Sequence, residues 1–273
     1  MLGNYFLLLR TDTGAMRLKE VSDKFQAISL KEMDAVELLN RVDTKYMLNA
    51  ALLPVILDEI VPYYKILEIN KERVFEYISL YYDSLRNNMY FDHHNGRLNR
   101  YKVRFRRYVS SDLYKLEVKF KKKGTRTIKS QKIWDCIEDC LSNNSKSFIR
   151  ENSPYDGDDL IPVIYTQFRR MTLVNNNNGE RATIDIDLKF RKADHEKLIG
   201  NLSLIEVKRS LGSGFTELMS VLKKYGIRQK GFSKYCIGRA LMEPALKQNR
   251  FKEKLLIINK INDDKFNHIG TQY

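Results

Sequence analysis

The sequence predicts an α+β fold in which about eight antiparallel strands form a closed β-barrel around a basic tunnel, flanked by helices. Three observations lead there. Period-two alternation of apolar and charged residues dominates residues 73–132 and returns in residues 161–174, 181–190 and 202–209. Helical spacing flanks these stretches. The charges are also lopsided, with Lys102, Arg104, Arg106, Lys119 and Lys121 on the polar faces of two neighbouring strands. Like charges facing each other destabilise a ladder, and a solvated surface normally mixes its signs. If the apolar faces meet the helices, the ionised faces point inward.

The elements follow in chain order. Residues 16–40 read as helical, with Ser29 and Glu32 spaced as a capping box, so that residues 1–28 form an N-terminal helical extension. A short helix over residues 51–64 follows an extended segment at 46–48. Turn signals at Asn87–Asn88, Asn95–Gly96, Ser110–Asp112 and Gly124 separate the strands of residues 73–132. Residues 132–149 return to helical spacing, with Cys136 and Cys140 four apart on a buried stripe; core packing is favoured over metal binding, because no second Cys or His pair completes a zinc set. Residues 152–159 form a polar loop containing Pro154 and Gly157, and residues 175–179 a turn that tolerates positive φ. Phe215, Leu218, Met219 and Leu222 share one face of a helix that Gly226 stops. A last helix starts near Ser233 and Pro244 closes it. One domain covers residues 29–245. The basic tail, 246–273, carries Leu255, Leu256 and Ile257 either on an amphipathic helix or as a contact for acidic surfaces. His93-His94 reads as a solvated turn.

Composition restricts the partners. The chain has 273 residues, 43% of them hydrophobic and 30% charged, enough for a sizeable core. Lys plus Arg number 48 against 34 Asp plus Glu, a formal charge of +14 that points to an anionic partner. Three cysteines in a chain of this length fit a reducing compartment rather than a disulfide framework. The opening apolar patch, residues 5–9, is too short for a signal segment, and no stretch reaches the roughly 18 apolar residues of a membrane span. A cytoplasmic protein is expected.

Alternation assigns the faces. Lys102, Arg104 and Arg106 lie opposite Val103 and Phe105, and Glu117, Lys119 and Lys121 opposite Leu116, Val118 and Phe120. Arg181, Thr183, Asp185 and Asp187 lie opposite Ala182, Ile184 and Ile186; Glu206 and Lys208 lie opposite Ile205 and Val207. The competing reading is an open sheet with one face in water. An enclosed cationic face demands an anion carrying several charges, because desolvation and repulsion otherwise penalise it. A phosphate chain is thin enough to enter; duplex nucleic acid is not. Glu117, Asp185 and Glu206 supply hard oxygen ligands for Mg²⁺ or Mn²⁺.

Specific strings then stand out in order: Arg41-Val-Asp-Thr-Lys-Tyr46, Tyr82-Asp-Ser84, Lys102-Val-Arg-Phe-Arg-Arg-Tyr108, Leu116-Glu-Val-Lys119, Arg181-Ala-Thr-Ile-Asp185, Ile205-Glu-Val-Lys208 and Ser233-Lys-Tyr235. Together, over roughly residues 29–242, they resemble the VTC domain, a polyphosphate polymerase domain of the triphosphate tunnel metalloenzyme group related to CYTH proteins. The resemblance implies a β-barrel whose lumen holds phosphate chains, with Mn²⁺ or Mg²⁺ nearby and ATP as phosphoryl donor to a polyphosphate or pyrophosphate primer. On that basis Arg104, Arg106 and Lys119 resemble the catalytic cations that grip the transferring phosphates. Lys45, Tyr108, Lys129, Arg170, Arg181, Lys208, Ser233 and Lys234 resemble the phosphate-binding set, with Arg169 an adjacent competitor to Arg170. Glu206 resembles the metal-binding glutamate.

Departures narrow the branch. CYTH relatives open with an E-x-E-x-K string, whereas this chain has Arg41, Asp43 and Lys45 in that register, which favours the VTC branch over hydrolases and cyclases. Ser84 stands where Thr is usual, and Gln131 where a basic residue often follows the lysine. Two alternatives remain on the same residues: a metal-dependent tripolyphosphatase or nucleoside triphosphatase, and a non-catalytic polyphosphate or RNA reader. Base stacking is disfavoured, since Phe105 and Phe120 fall opposite the cations.

Overall fold

A computed structural model of the chain describes residues 16–35, 41–123 and 127–262. The apolar patch at residues 5–9, the end of the expected first helix, the turn at Gly124 and the tail beyond 262 lie outside them. The strands are β1 (Gln26–Ile28), β2 (Arg41–Asn49), β3 (Tyr64–Leu67), β4 (Phe75–Ser84), β5 (Arg100–Tyr108), β6 (Leu113–Lys121), β7 (Thr127–Trp134), β8 (Leu160–Asn175), β9 (Arg181–Lys192), β10 (His195–Ile199) and β11 (Leu202–Ser210). The helices are α1 (described over 16–24), α2 (Leu30–Ala35), α3 (Leu53–Ile60), α4 (Asn88–His94), α5 (Asn143–Asn152), α6 (Glu217–Lys224), α7 (Lys234–Met242) and α8 (Lys252–Asn262). None is long and apolar enough to cross a membrane.

The described residues fall into two compact units. The first comprises the chain up to Val74, Arg170–Ile186 and Gly200–Phe232; the second comprises Phe75–Arg169, Asp187–Ile199 and the chain from Ser233. In the first unit the strand order is β2, β11, β9, β8, with β3 on β8 and β1 parallel to β3. Its apolar face buries Tyr46, Leu48, Ile205, Val207, Ala182, Ile184, Met171 and Leu173 against Ile56, Leu57 and Ile60 of α3 and Leu218, Met219 and Leu222 of α6. Each fully buried aliphatic side chain contributes about 1.5–3 kcal/mol, so this contact fixes which strand face turns away from the helices. Thr216 caps α6, and Gly226, at φ +67°, ends it where the spacing predicts a stop. Phe215, expected on its packed face, precedes the helix and is exposed.

In the second unit the order is β8, β4, β5, β6, β7, with β10 on β9. Val103, Phe105, Leu116 and Val118 are buried, and Phe105 meets Trp134, which meets Phe148 of α5. α7 instead covers one end of the ionised face: Tyr235 stacks on Tyr81, and Ser233 accepts a hydrogen bond from Lys102 Nζ at 2.9 Å.

Several expectations change. The α+β class and large antiparallel sheet are as predicted, but the barrel is not closed by hydrogen bonds: among the described residues the strand path ends at β2 and β7. The outer edge of β2 is already taken, by the Tyr46–Gln229 bridge and by Lys230 N–H donating to the Lys45 carbonyl. Residues 26–28 are strand, so the first helix is interrupted, although the Ser29–Glu32 capping box forms at the start of α2. Residues 127–134 are strand and 135–142 irregular, because Glu138 is tied to Trp134, Ser142 and Ser145; Cys136 and Cys140 are consequently exposed rather than on a buried helical stripe. His93-His94 sits on α4, with His94 buried. The tail helix α8 buries Ile258, while Leu256 is exposed.

Close packing of α7 rests on Gly238. A Cβ there would lie 2.6 Å from Phe190 Cε1 and 2.9 Å from Ile164 Cδ1. Gly238→Ala is therefore expected to lower stability by about 1–3 kcal/mol, as overpacking does, measured by urea denaturation at unchanged m.

Candidate functional site

Strand register assembles the second unit's charged residues. β5, β6 and β7 place Lys102, Lys119 and Lys129 in one row, with Arg104, Glu117 and Gln131 in the next. β4 adds Tyr81 beside Arg104, Ser79 beside Arg106 and Tyr77 beside Tyr108. Side chains directly paired across a ladder share a face, so these residues form one surface.

The surface is not a solvated one. Arg104 and Arg106 are each 7% exposed, and Glu117 is fully buried. Arg104 donates through Nε and Nη2 to one Glu117 oxygen and through Nη1 to the Tyr81 hydroxyl at 2.9 Å. Lys129 Nζ lies 2.7 Å from the other Glu117 oxygen. Arg106 donates to Ser79 and lies 5.4 and 5.7 Å from the centroids of Tyr77 and Phe168, which stack 5.4 Å apart. Such cation–π contacts supply about 0.5–2 kcal/mol where charge is desolvated. Lys234 Nζ lies 4.2 Å from the Phe168 ring, and Ser233 caps α7.

The ionisation pattern follows. Burial pushes the Glu117 carboxyl up, but Arg104, Arg106, Lys119 and Lys129 outweigh it and hold it well below the carboxylate range. Arg104 and burial together hold Lys119 well below an ordinary lysine, and among the described residues no carboxylate forms an ion pair with it. Burial raises the Tyr81 phenol, and Arg104, Arg106 and Lys102 carry it below its ordinary value.

The first unit carries a second cluster. Lys45, Glu206 and Thr183 form one row, and Asp43, Lys208 and Arg181 the next. Glu206 is paired with Lys45, and Lys208 Nζ is 3.9 Å from its other oxygen. Burial raises Glu206, but Lys208 and Lys45 bring it down to about 2. Arg170 donates a fork to Asp185 at 2.5 and 2.9 Å, and Arg181 reaches the Met33 carbonyl of α2. The competitor Arg169 pairs instead with Asp187 in the second unit.

Of the residues singled out from the sequence, the structure places Arg104, Arg106, Lys119, Lys129, Tyr108, Ser233, Lys234 and Glu117 in one unit, and Lys45, Arg170, Arg181, Lys208, Asp185 and Glu206 in the other. Sequence reasoning missed Tyr77, Ser79 and Tyr81, although their alternation with the buried Leu80 and Tyr82 carried the signal.

Among the described residues no group of three His, Cys, Asp or Glu side chains could hold a metal ion. Both Asp185 oxygens face Arg170, and Glu117 has no exposed surface. Those two do not fit a divalent cation. Glu206, with a side chain 20% exposed, is the most accessible of the three, with Lys45 on one oxygen and Lys208 3.9 Å from the other.

The sequence profile of the family described as VTC domain matches residues 40–243. Among solved structures, a candidate adenylate cyclase from Vibrio parahaemolyticus is 8% identical, over 74% of this chain and 99% of its own, at TM-score 0.44. A candidate adenylyl cyclase from Hippeastrum, described as having a dominant triphosphatase activity, is 16% identical, over 73% and 95%, at TM-score 0.45. One from Bacillus halodurans is 10% identical, over 71% and 94%, at TM-score 0.42. Curated proteins give no significant match.

The lowered lysine yields a linkage prediction. A nearby anion favours its charged form, so tripolyphosphate binding at pH 9 is expected to take up protons, read by calorimetry in buffers of different ionisation enthalpy. Lys119→Met should reduce that uptake, leaving the part due to Lys208, which burial also holds below an ordinary lysine. For folding the sign is also fixed: the unfolded chain holds this proton to higher pH, so Lys119 makes stability rise with pH between its lowered folded-state value and about 10.5.

Proposed function

We propose that this chain, which belongs to the VTC domain family, is a cytoplasmic ATP-dependent polyphosphate polymerase that transfers the γ-phosphoryl of ATP to a phosphate chain end. The observation that carries this reading is the row Lys102, Lys119 and Lys129 beside the buried Arg104 and Arg106 on one sheet face. Such crowding is sustained by an anion with several charges, and a phosphate chain repeats charge at short intervals.

A terminal phosphate oxygen attacks the γ-phosphorus; the new P–O bond forms as the bond to the β,γ-bridging oxygen breaks, and ADP leaves with that electron pair. The attacking oxygen is already largely ionised at neutral pH, so no general base is required. The protein's work is alignment and charge neutralisation. Arg106, Lys119 and the donors that Glu117 and Tyr81 leave on Arg104 hold the transferring phosphates, with Tyr108 beside them. Lys129, Lys234 and Ser233 take further phosphates in that unit, and within the first unit Lys45, Arg170, Arg181 and Lys208 are the phosphate-binding candidates. Mg²⁺ or Mn²⁺, held at Glu206, would neutralise charge on the phosphate oxygens.

Arg106→Ala and Glu206→Gln are expected to cut ATP-dependent chain synthesis at least about a hundredfold with folding retained, since each removes transition-state charge stabilisation. Arg104→Ala is a poorer probe because it strands a buried carboxylate. Gel sizing of products from ATP, Mn²⁺ and a pyrophosphate primer supplies the readout. Long polymer plus ADP supports the polymerase; orthophosphate alone indicates a triphosphatase, and binding without turnover indicates a reader.

A further inference from the structure

Glu117 is the one carboxylate on the cationic face of β5, β6 and β7, and its placement does not suit the metal-ligand role its residue type suggested. It has no solvent-exposed surface, one oxygen receives two donors from Arg104, and the other lies against Lys129. Oε1 accepts no hydrogen bond, but a divalent cation also needs an approach path, and would meet Arg104, Arg106, Lys119 and Lys129, whose fields all act on this carboxylate.

We infer that Glu117 is an internal counter-charge of the anion site: a positioning residue that aims Arg104 and Lys129 and tempers how tightly the cationic face holds phosphate. The inference rests on the phosphate-binding reading proposed above. By occupying Arg104 Nε and Nη2 it fixes the plane of the guanidinium, while Tyr81 takes Nη1, leaving only part of the five-donor fork for a ligand. Its single negative charge also offsets part of the repulsion within the lysine row. A site whose product must leave, or whose chain must advance, gains from such a brake, because binding the ground state more tightly does not speed the chemical step.

The test is tripolyphosphate binding by the full chain, measured by calorimetry in EDTA so that metal plays no part. Glu117→Gln keeps the shape and an acceptor oxygen but removes the charge. It is expected to tighten binding on the order of tenfold and to steepen the dependence on salt, because one more uncompensated cation faces the ligand. Glu117→Asp retains the charge and should bind within about twofold of the parent, a rescue expected of an electrostatic role. Equal or weaker binding by a folded Glu117→Gln protein overturns the inference. Failure of the parent chain to bind tripolyphosphate at all overturns instead the phosphate reading beneath it. If Glu117→Gln does not fold, the carboxyl ¹³C resonance of Glu117 in the parent chain decides: a shift with tripolyphosphate in EDTA and none with Mg²⁺ alone is expected, and a shift with Mg²⁺ alone contradicts it.

Discussion

Cation crowding on one face of β5, β6 and β7 is the constraint from which the second unit's architecture follows. Lys102, Lys119 and Lys129 stand side by side in the ladder, where like charges repel. The face persists because each neighbour offsets some of that cost. Glu117 lies beneath Arg104 and Lys129, Tyr81 accepts from Arg104, and the stacked pair of Tyr77 and Phe168 lies under Arg106. At Lys119 the field of Arg104 and burial outweigh that of Glu117 and hold the ammonium group well below an ordinary lysine. That remaining deficit is what the proposed polyanion would relieve.

The first unit distributes charge differently. There carboxylates and cations are nearly matched, with Arg170 on Asp185 and Lys45 on Glu206, so its ionised face is a set of pairs rather than a field of one sign. An anion arriving at such pairs has to compete with an existing partner, which favours ligands carrying several charges over single ones. Under the proposed function the two surfaces would favour the same class of ligand for different reasons, one through repulsion relieved and the other through exchange of partners.

Much of this was readable in the chain. Alternation alone separated Val103 and Phe105 from Lys102, Arg104 and Arg106, since a half-buried strand leaves that signature whatever its partners. Ser233 and Gly226 were legible because caps and αL stops are local chemistry. What failed was decided at long range. Ile133, Cys136, Ile137 and Cys140 mimic a helical stripe, but the Glu138 carboxylate gathers Trp134, Ser142 and Ser145, and the Tyr82 hydroxyl donates to its backbone carbonyl. No window on sequence contains that tertiary anchor. Strand count likewise could not foresee that Gln229 and Lys230 occupy the edge of β2. Glu117 shows the same limit at the site: its residue type suits a metal, and only the register reveals that cations already surround it.

The most direct measurement of the central claim is an experimentally determined structure with tripolyphosphate bound. The account predicts phosphate oxygens within hydrogen-bonding distance of Lys119 Nζ and of the outward nitrogens of Arg106, with Glu117 still beneath Arg104. Phosphate bound elsewhere, with the Lys102, Lys119 and Lys129 row left without an anion, would contradict it.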